Sequence, residues 1–176
     1  MYVHRSPAYF SWLWGLVIGV VVLLVPLSAT ANNIDVAFSP NGGGEELIIQ
    51  TINSAKTTLC MATYSFTSKA IAGAVLNARL RGVNVRVVSD YKANTSHYTA
   101  VNYLNNHGVA IRLNRHYAIM HNKFIVVDNQ TVETGSYNYS SAAEKKNAEN
   151  VIVIWNNPKL AAKYASECER LFKEAV

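Results

Sequence analysis

The chain has 176 residues, 50% hydrophobic, 15% charged and 10% aromatic, a globular composition that excludes disordered, collagen-like and multi-span membrane proteins. Sixteen Lys and Arg against eleven Asp and Glu give a net charge of +5, which suits acidic partners such as nucleic acid or anionic lipid headgroups.

Residues 1–31 read as an address. A short tip with Arg5 as its only charge precedes a nearly unbroken apolar run from Ala8 to Leu27, with Pro26 near its end, and Ser28-Ala-Thr-Ala31 follows. This order predicts a secretory signal peptide cleaved after Ala31, which places the domain in the periplasm or outside the cell. The alternative is an uncleaved membrane anchor, because an apolar run of about 20 residues can also span a bilayer. Residues 32–176 then form a single domain large enough to bury a core without staples. Cys60 lies in an apolar run and Cys168 on the apolar face of a terminal helix. They either pair in an oxidising compartment or are buried separately, and their spacing carries no zinc or redox signature.

Past Asn32, short β-branched runs alternate with amphipathic helices, which predicts an α/β fold: a mixed β-sheet with helices packed on both faces. Ile34 to Ser39 is the first strand and Pro40 to Gly44 a turn. Glu45 to Lys56 is a helix with Leu47, Ile48, Thr51, Ile52 and Ala55 on one side. Thr58 to Phe66 reads as a buried strand. Ser68 caps a helix running to Arg81 and stopped by Gly82, with Ile71, Ala74, Val75 and Ala78 inward. Val83 to Ser89 is a strand, Ser96 to Asn106 a helix, and Val109 to Leu113 a strand. Phe124 to Val127 and Thr131 to Thr134 form a hairpin across Asp128-Asn-Gln130, and Val151 to Trp155 is the last strand. Pro158 opens a helix to Glu174, with Leu160, Tyr164, Cys168 and Leu171 or Phe172 as its buried stripe.

The chemistry concentrates in His121-Asn-Lys-Phe-Ile-Val-Val-Asp128, Gly135-Ser-Tyr-Asn138 and Glu149-Asn150. In an extended segment His121 and Lys123 share a face, so a titratable imidazole sits beside a fixed cation. Such a pair handles phosphate: Lys123 neutralises non-bridging oxygens while His121 attacks phosphorus or moves a proton near neutral pH. The same alternation sends Asp128 to the opposite face or into the turn, a structural role tying the hairpin through backbone N–H groups. Gly135 permits a tight backbone, and Ser136 and Asn138 can present a hydroxyl and an amide to one phosphate.

His121-x-Lys123-x-x-x-x-Asp128 followed by Gly135-Ser136-x-Asn138 resembles the signature of the phospholipase D superfamily. The signal segment, single motif copy and length are most similar to the superfamily's small secreted bacterial endonucleases. That resemblance implies catalysis without cofactor or metal. Because the chemistry takes two facing motifs, it also implies a homodimer with one His121 on either side of the phosphate. One His121 forms a phosphohistidine, and the other protonates the leaving oxygen and then activates water. Lys123 and Asn138, with Ser136, hold the equatorial oxygens, and Glu149 accepts a hydrogen bond from the second ring nitrogen of His121.

The implied substrate is DNA, with RNA as a second candidate, cut with little sequence preference. Tyr91, Lys92, Arg112, Arg115, Tyr137, Tyr139, Lys145 and Lys146 either track the phosphate backbone and stack bases or simply pack and solvate. His97, His107 and His116 read as surface or loop residues, with His116 nearest the motif. Two rival functions remain open: a membrane-anchored lipid phosphodiesterase, as in mitochondrial-surface members of the superfamily, and a non-catalytic phosphate-binding module.

Overall fold

A computed structural model describes residues 1–4, 33–96 and 99–176. The predicted signal segment and His97 lie outside the described residues. Seven strands form one sheet in the order β1-β7-β6-β5-β2-β3-β4. These are β1 Ile34–Ser39, β2 Thr58–Thr63, β3 Asn84–Asp90, β4 Ala110–Asn114, β5 Phe124–Val127, β6 Thr131–Gly135 and β7 Glu149–Ile154. β2, β3 and β4 run parallel, while β5, β6, β7 and β1 are antiparallel to their neighbours, so the sheet is mixed. The helices are α1 Gly44–Asn53, α2 Lys69–Leu80, α3 Ala100–Asn106, α4 Ser141–Lys145 and α5 Pro158–Glu174.

Strand alternation divides the interior in two. Leu59, Met61, Ile125 and Val127 face α1, α2 and α3, in a core that also holds Ile48, Ile52, Ile71, Val75 and Leu104. Cys60, Ala62, Phe124, Val126 and Val132 face α5, whose Ala161, Cys168 and Leu171 complete a second core. Helices therefore cover both faces. Among the described residues no helix is long and apolar enough to cross a membrane.

Several boundaries moved for identifiable reasons. α1 ends at Asn53 rather than Lys56 because the Asp128 carboxylate captures the next backbone N–H groups. It accepts from the amides of Lys56 (2.9 Å), Thr57 (2.8 Å) and Thr58 (2.8 Å), and from the Thr57 hydroxyl. Asp128 fastens the start of β2 rather than its own hairpin, from a backbone at φ 52°. These donors hold its carboxyl below the usual aspartate range, although burial opposes them. β2 stops at Thr63 because the next residues turn onto Asn94, which binds the Tyr64 carbonyl and the Phe66 amide, and α3 starts at Ala100, whose amide donates to the Phe66 carbonyl. The short α4, capped by Ser140, was not apparent in the sequence.

The two cysteines pair. The Cys60–Cys168 disulfide joins β2 to the middle of α5 across a sequence separation of 108 residues. A link that closes so long a loop removes much of the unfolded chain's freedom. Replacing both cysteines with alanine should therefore lower unfolding stability by about 2–5 kcal/mol in urea titrations, and wild-type protein in reductant should follow. An unchanged midpoint would mean that the apolar stripe of α5 holds the helix alone.

Candidate active site

The motif residues meet at one end of the sheet, where β5 begins and β6 ends. Phe124 pairs with Thr134, so the chain just before Phe124 lies against Gly135 and Ser136. His121, Asn122, Lys123, Phe124, Thr134, Gly135, Ser136 and Tyr164 line one open cavity of about 400 Å³. His121 is exposed, whereas Lys123 is only 8% exposed. The Lys123 ammonium donates to the His121 carbonyl (2.8 Å), and the Thr134 hydroxyl donates to the Lys123 carbonyl (2.9 Å). Burial lowers the Lys123 pKa, and the Glu149 carboxylate pulls it the other way.

Ser136 is gripped from β7. Its hydroxyl donates to Glu149 Oε2 (2.6 Å) and accepts from the Asn150 amide (3.1 Å). The other Glu149 oxygen accepts from Asn147 Nδ2 (2.9 Å). Within one chain Glu149 thus pairs with Ser136 and Asn147, because β7 begins at Glu149 and brings it beside Ser136. Asn138 follows Ser136 in the same loop, and its Oδ1 is buried without a partner. An unsatisfied amide oxygen is uncommon in a folded chain and marks this loop as one whose polar capacity is not spent internally.

Sequence reasoning missed three residues that frame the histidine. The Tyr64 ring meets His121 edge-on at 4.7 Å between centroids, and the Lys123 ammonium lies 5.5 Å from the same ring. Asn94 anchors Tyr64: its Nδ2 donates to the Tyr64 carbonyl (2.6 Å), while its Oδ1 accepts from the Phe66 amide (3.1 Å). Asp90 Oδ2 accepts from the Met120 amide (2.9 Å), fixing the residue before His121. These partners come from the ends of β2 and β3 and the turn after β3, far away in sequence, and no local pattern marks them.

The other basic and aromatic candidates divide. Tyr137 and Tyr139 are buried, so they pack rather than stack on a ligand. The Tyr137 hydroxyl donates to Glu144 (3.0 Å) and the Tyr139 hydroxyl to Glu133 (2.6 Å). Arg112 lies over the Phe172 ring and Arg115 over Tyr91, at 4.6 and 3.7 Å from the centroids. Lys92, Lys145, Lys146, His107 and His116 are exposed. Among the described residues no group of three or more His, Cys, Asp or Glu side chains converges to hold a metal ion.

Residues 48–172 match the family model described as cardiolipin synthase, PLD-like domain. The chain is 34% identical over 133 residues to a phospholipase D of Rickettsia prowazekii, an alignment covering 76% of this chain and 64% of that protein. It is also 34% identical over 120 residues to the mitochondrial cardiolipin hydrolase of Xenopus tropicalis, covering 68% of this chain and 57% of the relative. The chain thus spans under two thirds of the length of these curated relatives. Among solved structures it superposes on Nuc from Salmonella typhimurium, a phospholipase D family member. That match has a TM-score of 0.80 and 41% identity, and covers 82% of this chain and 97% of Nuc. The fold also matches NucT from Helicobacter pylori at a TM-score of 0.72 and 23% identity, over 82% of this chain and 99% of NucT.

Beneath the site, Glu133 is a carboxyl in the core. Burial pushes its pKa up to about 8, against the opposing hydrogen bond from Tyr139. Between the ordinary glutamate value and about 8, the unfolded chain releases a proton that the folded chain keeps, so stability falls as pH rises through that window. Glu133→Gln should remove this fall, which is on the order of a few kcal/mol. Thermal melts of both proteins from pH 4 to pH 9 measure it, and parallel profiles would refute a protonated Glu133 in the fold.

Proposed function

The chain belongs to the phospholipase D superfamily, and from that membership we propose a phosphodiesterase that hydrolyses nucleic acid in a site shared by two copies of the chain. DNA is the first substrate and RNA the second, cut with little sequence preference. The carrying observation is the exposed His121 imidazole beside the buried Lys123 ammonium at the mouth of one cavity. A structural histidine would be satisfied and enclosed; this one is open to an incoming diester. The motif and length shared with the superfamily's small secreted endonucleases, and the 97% coverage of Nuc, favour a nucleic-acid substrate over lipid.

The reaction proceeds in two displacements. A ring nitrogen of one His121 forms a bond to phosphorus as the bond to the leaving oxygen breaks, and His121 of the second copy gives that oxygen a proton. The second histidine, now neutral, takes a proton from water as the water oxygen attacks phosphorus, which frees the first ring. Lys123 offsets charge on the equatorial oxygens, helped by the Asn138 amide and the Ser136 hydroxyl. Neither step draws on a metal or a cofactor. Glu149 works through Ser136 and through its charge on Lys123. The protein acts outside the cytosol, after cleavage of residues 1–31.

Purified protein in excess EDTA should cleave plasmid, single-stranded DNA or RNA, and His121→Ala should lose turnover while retaining nucleic-acid affinity within a few fold. Hydrolysis of cardiolipin vesicles without cleavage of any nucleic acid would transfer the assignment to lipid, the activity named in the Xenopus relative. Binding without turnover of either would leave only a phosphate-binding module.

One surface supports the shared site. On edge strand β1, Ile34, Val36 and Phe38 are 53%, 54% and 59% exposed, on the face that α5 leaves open. Phe38 pairs with Asn150, whose amide donates to Ser136, so this apolar strip ends beside the phosphate groups. Contiguous exposed apolar side chains mark association surfaces, and a two-fold contact needs only one self-complementary patch. Val36→Asp with Phe38→Asp should yield monomers by sedimentation and reduce activity at least ten-fold. A fully active monomer would overturn the shared site.

A further inference from the structure

Between the start of α2 and the side of α3 lies a second cavity, of about 480 Å³, that no motif residue enters. It is lined by Thr67, Lys69, Thr99, Asn102, Tyr103 and Asn106, with Ala72 and Ala100 behind them. Its walls are joined to the catalytic loops. The amides of Thr67 and Ser68 donate to the Tyr139 carbonyl (2.9 and 3.0 Å), one residue beyond Asn138. On the other wall, the Ala100 amide donates to the Phe66 carbonyl (3.0 Å), in the loop that carries Tyr64. The groove therefore opens where the loops leave the site.

The Thr99 hydroxyl (3.2 Å) and the Asn102 amide (3.0 Å) donate to the Ser96 carbonyl, which leaves the second Asn102 N–H and the side-chain oxygens for a ligand. Lys69 takes part in none of the ion pairs among the described residues. The Tyr103 ring is 45% exposed, backed at 4.4 Å by the His107 ring, which holds it at the groove edge. His107 is itself fixed by its bond to the Tyr103 carbonyl (2.7 Å). A free cation, an exposed ring on a fixed support, and amide and hydroxyl edges are the groups that hold a nucleotide. The cation meets a phosphate, the ring stacks on a base, and the amides meet the base edge. A base held in a duplex cannot offer its face to a ring, so the occupant is an unpaired strand.

We propose that this groove binds a nucleotide flanking the scissile phosphate of a single-stranded nucleic acid, with Lys69 on its phosphate and Tyr103 on its base. The proposal rests on the nuclease reading above and adds the strandedness of the substrate. Neither side chain lies among the reacting groups, so both can be removed without touching the chemistry.

The full-length protein with Lys69→Ala and Tyr103→Ala should show a KM for single-stranded DNA or RNA oligonucleotides raised about ten-fold or more. Its hydrolysis of bis(p-nitrophenyl) phosphate, too small to reach the groove, should be unchanged. Tyr103→Phe, which keeps the stacking face, should restore most of the oligonucleotide KM in the Lys69 background. Equal loss on the small diester, or no change on oligonucleotides that wild type cleaves, would overturn the groove. Binding of a fluorescent single-stranded oligonucleotide to His121→Ala protein gives a reading independent of turnover. Anisotropy should weaken on adding the groove substitutions, and equal affinity or no binding in either protein would also overturn it. Failure of the nuclease reading looks different: wild type then hydrolyses the small diester and cleaves no nucleic acid.

Discussion

No side chain fits at residue 135, and the site depends on that. A Cβ on Gly135 would lie 2.1 Å from the Asn150 carbonyl oxygen and 3.0 Å from its carbon, both backbone atoms that cannot swing aside. The absence of a side chain lets β7 close onto the end of β6, where the Ser136 amide donates to that same carbonyl (3.1 Å). Once the strands are this close, Ser136 reaches Glu149 and the Asn150 amide, and the loop from Ser136 to Asn138 departs in a fixed direction. On the other flank, β5 delivers Lys123 against the same glycine. A strand contact that excludes one methyl group thus sets the spacing between cation, hydroxyl and amide.

The rest of the molecule keeps that end of the sheet rigid. β5 is buried along its whole length on both faces, so its chemistry can project only where the strand begins. Asp90 and Asn94, both 2% exposed, direct their hydrogen bonds to backbone groups on either side of the histidine, at Met120, Tyr64 and Phe66. Asp128 does the same at the opposite end of the sheet, for the start of β2. Asp90, Asn94 and Asp128 thus serve as backbone clamps at or just beyond the ends of the strands.

Much of the fold was legible because its elements obey a period. The sequence pattern matches the observed ends of β1 and β5 and falls one residue short on β6, which runs on to Gly135, and Ser68 and Pro158 open their helices as capping chemistry requires. The misreadings occur where a distant polar group overrides local pattern. α1 stops before residues captured by Asp128 some seventy positions away, and the first amide of α3, at Ala100, is tied to the Phe66 carbonyl. The disulfide was undecidable because only the three-dimensional crossing of β2 by α5 brings the cysteines together. The motif found His121, Lys123 and Ser136 around one cavity, but a spacing rule says nothing of partners. The Ser136 and Asn147 partners of Glu149 are therefore not legible in it, and neither is Tyr64.

The position of the imidazole carries its own argument. In-line displacement at phosphorus needs an attacking group and a proton donor on opposite sides of the same atom, and one ring cannot stand on both. A chain with a single His121 that worked alone would place a second acid across the cavity from it. The same cavity is lined by Gly135, Ser136 and the aromatic ring of Tyr164, while the Glu149 carboxylate accepts from Ser136 and Asn147. The histidine stands at an open rim and Val36 and Phe38 of β1 are uncovered, so the proposed pairing of two chains would supply the second imidazole from outside.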